Sequence, residues 1–502
     1  MPHSCHGVKY LLKLCHLPQL KQTLGLCIVF VVGVMICLQI PFLFIKIRDK
    51  LKSNRSCIMV PSCLQQKTQL HLSASSVTEG QTIIQKVGGR PSDRVLSWSG
   101  PEIPYGDPRW QRVDEDGSVF VYSAHYDDAG TVAIVRVIAV ARHPLPYTHV
   151  WCRYYGCCGS GSVIANVSGT LQHLRIINRR YIVTYVDCPL DQMLGSLPYA
   201  VSVDKTSEAI GTTFLVIRYS FGDNKVNNDW HRGAANTTAT RWNITRCVPA
   251  LQAEFNDHKH LLEMVAVSTA LGVDHFVFYV ESIGPDVRKA LHVLERLKLA
   301  EILPWNLHLE EEDLFYKGQF PAIQDCLYRH LHTSRYLLFG DVDEVFVPRS
   351  HPSLLSLLDH YFTKNPNCGA VLFLNTYFYL TVPPDVPPEG HPQAAEFARR
   401  HQLQFLLHTQ RESWIYPPTE RSKPAVDPRK VETVSVHLVK KLRHPYQQCV
   451  MEPDQGLLHH YRVAPAQPSR PTFRDPFLWR AADNIVKEMD RLLRAYNETT
   501  IS

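Results

Sequence analysis

Between residues 258 and 340 the chain alternates stretches of helical period with short apolar runs, and this alternation constrains its fold more than any other feature. The segment His258 to Leu271 sets Leu261, Leu262, Val265 and Thr269 near one helix face, and Gly272 ends it. Phe276-Val277-Phe278-Tyr279-Val280 then reads as a strand. A second helix over 285–299 leads to Glu301-Ile302-Leu303, and a third over 320–332 leads to Tyr336-Leu337-Leu338-Phe339-Gly340. Strands that alternate with helices imply βα units and an α/β fold with an open, mostly parallel sheet. Thr213 to Tyr219 is a further strand candidate in this region.

Upstream the pattern is different. Val119 to Tyr122, Thr131 to Ile138 and Tyr181 to Val186 are short runs of β-branched and aromatic residues, the mark of a small β-rich domain. Residues 46–95 are polar and lack periodicity, as in a stem. The expected organisation is a tail over 1–23, a span over 24–45, a stem over 46–95, a β-rich domain over 96–205, an α/β domain over 206–480 and a C-terminal helix and tail over 481–502. The Pro-rich stretches 383–392 and 417–428 are expected to be loops.

Leu24 to Ile45 carries no formal charge over 22 residues, enough for one transmembrane helix. It is longer than the apolar core of a cleaved signal and runs straight into Lys46-Ile47-Arg48-Asp49-Lys50. Flanking charge opposes a luminal body, with Lys46, Arg48, Lys50, Lys52 and Arg55 after the span against Lys9, Lys13 and Lys21 before it. Five sequons after the span, at Asn54, Asn166, Asn236, Asn243 and Asn497, favour one, as do ten cysteines without zinc-type spacing. The expectation is a single-pass type II membrane protein with a few disulfides of unread connectivity. A net charge of +6 spread over 502 residues shows no basic stripe, so no nucleic acid is expected as a partner.

Asp341-Val342-Asp343-Glu344 follows the last apolar run. Residues two apart on an extended segment point the same way, so Asp341 and Asp343 could share one cation. Hard oxygen donors suit Mg²⁺ or Mn²⁺, and ligands of open α/β sheets bind beyond the carboxyl ends of strands. Glu344 would point to the opposite face, where a structural hydrogen bond serves as well as catalysis.

Several ordered motifs resemble glycosyltransferase family 92. They are Leu271 to Tyr279, Tyr316-Lys317-Gly318-Gln319, Asp325 to Arg329, Tyr336 to Pro348, Val434 to His437, and His460-Tyr461-Arg462. The resemblance extends over about 95–465. It implies a GT-A-type fold and an inverting, metal-dependent Golgi enzyme. That enzyme would transfer galactose from UDP-galactose, in β-linkage and with β-1,4 expected, to a fucose or galactose on glycoprotein N-glycans. Phe255-Asn256-Asp257 departs from the Asn-Glu usual in the family after the first strand.

The resemblance also suggests roles. Asp341 and Asp343 would hold the metal between the donor phosphates. His437 matches best the family position of a third ligand, with His459 and His460 as rivals. An inverting transfer needs a carboxylate base; Glu412, beside Trp414 and Tyr416, is the first candidate and Asp454 the second. Lys317 and Gln319, at the start of the third helix, and Arg462 are candidates for nucleotide-sugar contacts, with helix capping an equal use for Gln319. Tyr377 and Tyr379 are expected to pack in a strand. Two other readings stay open: the same fold with another UDP-sugar donor, or a non-catalytic membrane-anchored glycan-binding protein. The partners expected are a UDP-sugar, a glycan acceptor and a membrane, and a homodimer is an assembly kept open.

Overall fold

The computed structural model describes residues 109–499, apart from 146, 157–162, 175–178, 191–196, 209–210, 220–239, 308, 311 and 464–469. The expected span and stem, and with them Asn54 and Asn236, lie outside the described residues. Among the described residues no helix is long and apolar enough to cross a membrane.

Strands β1 (Gln111–Arg112), β2 (Val119–Asp127), β3 (Ile134–Arg142), β4 (His149–Tyr155), β5 (Val163–His173), β6 (Tyr181–Pro189), β7 (Ala200–Asp204) and β8 (Leu215–Arg218) form one sheet in the order β1-β2-β3-β6-β5-β4-β7-β8. Ala124 and His125 of β2 pair in parallel with Ile217 and Arg218 of β8, which closes β2 to β8 into a ring. Closure removes the exposed edge that a strand as apolar as Leu215–Arg218 would present. The Thr213 to Tyr219 run therefore belongs with the β-rich part.

A strand not evident from the sequence pattern, β9 (Trp242–Leu251), lies at the centre of the second sheet. Asn243, Thr245, Arg246 and Pro249 break its apolar pattern, which is why no run stood out. After it come α1 (His258–Ala270), β10 (His275–Val280), α2 (Pro285–Arg296), β11 (Ala300–Pro304), α3 (Gln319–Arg329), β12 (Ser334–Phe339), β13 (Glu344–Pro348), α4 (Leu354–Lys364), β14 (Cys368–Phe373), β15 (Asn375–Tyr379), α5 (Pro392–His401), α6 (Gln404–Leu407), β16 (Gln410–Glu412) and β17 (Lys423–Val426). The chain ends with β18 (Val431–Val434), β19 (Val439–Leu442), β20 (Gln447–Val450), β21 (Gly456–Arg462), β22 (Thr472–Arg474) and α7 (Ala482–Glu498).

The seven-stranded sheet β11-β10-β9-β12-β17-β14-β20 is mixed. Its first four strands are parallel, and β17 enters antiparallel to both β12 and β14. The expected 417–428 loop thus holds a central strand, only four residues long and opened by Lys423-Pro424. Alternation along β10 covers both faces, as parallel strands require. Phe276 and Phe278 pack with α1, α2 and α7, whereas Val277 and Tyr279 pack with α3 and with Tyr122, Ile138 and Tyr185 of the ring. A five-stranded sheet, β13-β21-β15-β16-β22, flanks the turn that follows β12.

Disulfides join Cys152 to Cys188, Cys247 to Cys326 and Cys368 to Cys449. The Asp325 to Arg329 motif is a buried clamp. Arg329 pairs with Asp325 at 2.9 Å, and Asp325 also accepts hydrogen bonds from Ser123 of the ring at 2.5 Å and Tyr279 at 2.6 Å. Asn256 and Asp257 serve as caps. Asn256 Oδ1 accepts from the Asp286 N–H of α2 at 2.9 Å, and Asp257 accepts from the His260 N–H of α1 at 3.0 Å.

Candidate active site

Asp341 to Asp343 is a turn, not an extended segment. The Glu344 N–H donates to the Asp341 carbonyl at 3.3 Å, and the Asp341 N–H donates to Glu344 Oε2 at 2.9 Å. Arg246, from the middle of β9, locks the turn from below. Its Nη2 donates to the carbonyls of Asp341 at 2.6 Å and Glu344 at 2.7 Å, and its Nη1 to Ser268 Oγ at 2.7 Å. Burial pushes the Arg246 guanidinium down to about 10, against the raising pull of Glu344, Asp341 and Asp343. The two aspartate side chains are left 37% and 40% exposed beyond the carboxyl end of β12.

Each aspartate has its own basic partner. Lys423 Nζ, 2% exposed, lies 2.8 Å from Asp341 Oδ2 and 3.2 Å from Glu344 Oε2. Burial disfavours its charge, but the two carboxylates hold its pKa above the usual lysine value. His460 Nε2 lies 3.2 Å from Asp343 Oδ2, and its Nδ1 lies 3.3 Å from Glu344 Oε1. Burial opposes its charge too, yet the Asp343 hydrogen bond and the charge of Glu344 raise its pKa. Burial would raise Asp343, but His460 outweighs it and holds the carboxyl below its ordinary value. Glu344 is driven up, by burial first. It sits beneath the pair rather than facing away, bridging Lys423 and His460.

Of the other expected residues, Gln319 reaches the site, with Nε2 donating to Asp341 Oδ1 at 3.2 Å. Lys317 turns aside to the Leu309 carbonyl at 3.2 Å and Glu310 at 3.6 Å. His437 lies in the turn between β18 and β19, its Nδ1 3.2 Å from the Ser422 carbonyl. Burial and then the Lys423 charge push it down to about 4. His460 is the histidine against the aspartates, by strand alternation. On β21, His459 turns the other way into the core and stacks on Phe378 at 4.3 Å.

Glu412 lies on β16, separated from β21 by β15 alone, about 10 Å by strand spacing. It is buried; Tyr379 donates to its Oε2 at 3.0 Å, and among the described residues Oε1 has no hydrogen-bond partner. Asp454 is exposed in the turn before β21, at the far end of that strand from His460; the structure does not bring it to the others. Arg462 donates to the Tyr377 hydroxyl at 3.2 Å and lies over its ring at 5.1 Å. Tyr377 and Tyr379 do pack in β15, each 6% exposed. Tyr377 also touches His460 at 5.0 Å and Tyr416 at 5.2 Å, and Arg421 covers both tyrosines at 5.5 Å. Trp414, 48% exposed, carries Arg470 at 4.7 Å. An aromatic and arginine wall thus runs from the aspartates to Glu412.

The donor set suits a hard divalent cation: two half-exposed carboxylates with an imidazole alongside. Asp341, Asp343 and His460 are the residues that would hold it, and Lys423 would share Asp341 with the ion.

A family model described as Glycosyltransferase family 92 matches residues 243–499. Compared with the expected 95–465, it leaves the closed sheet outside and takes in α7. Among relatives, the chain is 28% identical over 109 residues to beta-1,4-galactosyltransferase galt-1 of Caenorhabditis elegans, covering 21% of this chain and 26% of that protein. It is 25% identical over 209 residues to the Glycosyltransferase family 92 protein F13G3.3 of the same organism, covering 39% and 38%. The chain therefore spans well under half the length of these relatives. Among solved structures, glucosyl-3-phosphoglycerate synthase from Mycobacterium tuberculosis, in complex with Mn²⁺, UDP and glucosyl-3-phosphoglycerate, matches at 14% identity over 52% of this chain and 82% of that one. Its TM-score is 0.23, too low to bear on the site.

Proposed function

The chain belongs to glycosyltransferase family 92, and on that premise we propose that it is a metal-dependent, inverting galactosyltransferase using UDP-galactose. One observation carries the reading: Asp341 and Asp343 stand half exposed beyond β12 over a buried Lys423 and His460. In glycosyl transfer the diphosphate leaving group gathers negative charge as the anomeric bond breaks. A divalent ion supplies charge neutralisation there. Lys423 holds the Asp341 carboxylate, Arg246 holds the backbone of the turn, and Gln319 orients Asp341. The relative named as a β-1,4-galactosyltransferase supports galactose as the sugar.

Glu412 is the proposed base, taking the acceptor hydroxyl proton on Oε1 as the hydroxyl attacks. The wall of Trp414, Tyr416 and Arg470 offers the acceptor sugar an apolar face. The three disulfides among the described residues, and the exposed asparagines of the sequons at Asn166, Asn243 and Asn497, support a luminal body in the secretory pathway, anchored in the Golgi membrane by Leu24 to Ile45. A fucose or galactose of an N-glycan is the acceptor proposed.

The test incubates the purified protein with a panel of UDP-sugars, Mn²⁺ and N-glycan acceptors, beside Asp341→Ala/Asp343→Ala. Transfer from UDP-galactose that is abolished by chelation and by the double variant is the expected result. No transfer from any donor, with glycan binding equal in both proteins, would favour a glycan-binding protein instead.

A further inference from the structure

We propose that His275, Glu301 and His330 form a second divalent-cation site, of the zinc type, at the end of the seven-stranded sheet opposite Asp341. Their ligand atoms all lie within 4.8 Å of one another. His275 opens β10, Glu301 is the second residue of β11, and His330 directly follows α3. All three therefore stand where parallel strands begin, whereas Asp341 follows the end of β12. A six-residue strand separates the two ends by roughly 20 Å.

Two observations point to a ligand. The histidines are 7% and 5% exposed, yet among the described residues His275 Nδ1 and His330 Nε2 are buried without a hydrogen-bond partner. A buried polar atom left unpaired destabilises the fold, so two in one cluster call for an occupant. The second observation is the way His330 and Glu301 are aimed. His330 Nδ1 lies 3.1 Å from Thr333 Oγ1, which orients the ring and leaves Nε2 facing Glu301 Oε2 at 3.8 Å. Arg329 holds the other Glu301 oxygen, Oε1, at 3.0 Å. Such partners on the far side of His330 and Glu301 are what a metal site requires. Trp242 stacks flat on His275 at 4.4 Å and fixes that ring.

Two imidazoles and one carboxylate match zinc better than magnesium or calcium. Arg329, and Arg218 at 3.8 Å from Glu301, oppose a cation; Asp325 offsets Arg329 by pairing with it at 2.9 Å. Glu301 is one-third exposed and opens a route for the ion and a fourth, water ligand. Bound there, the ion would clip β10, β11 and α3 together, adding stability by its preference for the folded state. The site does not depend on the proposed transferase reaction.

The test strips the purified full chain of metal and titrates it with Zn²⁺, reading binding by calorimetry and stability by thermal melting. Asp341→Asn/Asp343→Asn, His275→Gln and His330→Gln are run beside wild type, each checked for fold by circular dichroism. Expected are one Zn²⁺ per chain and a raised Tm in the aspartate variant, the same site being present in wild type beside any ion taken by Asp341 and Asp343, with affinity at that site lost by about 100-fold or more in either histidine variant. Folded wild type that binds no Zn²⁺ would overturn the proposal. So would zinc binding abolished by the aspartate variant and unchanged in folded His330→Gln.

Discussion

Lys423 places its buried ammonium 2.8 Å from Asp341 Oδ2, so one carboxylate of the Asp-x-Asp turn is neutralised from below before any ligand arrives. The same ammonium lies 3.2 Å from the buried Glu344. Removing the ammonium leaves the buried Glu344 carboxylate without its nearest full positive charge.

Lys423→Met should therefore destabilise the protein by about 3–5 kcal/mol, measured by urea unfolding. Adding Glu344→Gln to it should recover part of that loss, because the stranded carboxylate disappears. A single substitution within 0.5 kcal/mol of wild type, an estimate typical of surface sites, would show that Lys423 does not hold the turn.

The two candidate histidines separate cleanly. His460→Ala should weaken Mn²⁺ binding by roughly 10–100-fold, followed by electron paramagnetic resonance of free Mn²⁺. His437→Ala should change it little, since His437 Nδ1 engages the Ser422 carbonyl. The reverse order of effects would return the third ligand to His437.

For the base, Glu412→Gln should lower kcat by about 100–10,000-fold while leaving Mn²⁺ binding intact. Asp454→Asn should match wild type, because Asp454 lies at the opposite end of β21 from His460. Equal losses in both variants would exclude Glu412 as the specific proton acceptor.

A pH effect on stability follows from Glu263 on α1. Burial pushes its carboxyl up to about 8, against hydrogen bonds from the N–H groups of Gln404 at 2.9 Å and Phe405 at 2.7 Å. The folded pKa exceeds the value of about 4.3 for a free glutamate. This contribution is therefore complete below about pH 4 and is lost as pH rises through about 8. Between about pH 5 and pH 8.5, wild type should lose stability relative to Glu263→Gln. Parallel profiles for the two proteins would contradict this.

Much of the framework was legible along the chain. Helix period around Leu261, Leu262 and Val265, the apolar runs at Phe276 and Tyr336, and the β-branched runs at Val119 and Tyr181 appear as helices and strands near the expected places. What failed were elements whose own pattern is broken. β9 carries Arg246 inside, and β17 is four residues opened by Lys423-Pro424; both are strands because their neighbours pair with them. Lys423 and Arg246, which brace the site, were missed with the strands that hold them.

Sequence alone determined the alternating α/β core and the two aspartates at the end of an apolar strand, because both are local patterns of a few residues. Only the tertiary structure decided which groups stand against those aspartates. The pairing of Glu344 with His460, across 116 residues as the difference of their numbers, sets His460 and not His459 against Asp343. Antiparallel entry of β17 sets Lys423 under Asp341. Strand register over such separations follows from the packing of whole sheets, which no single stretch of sequence encodes.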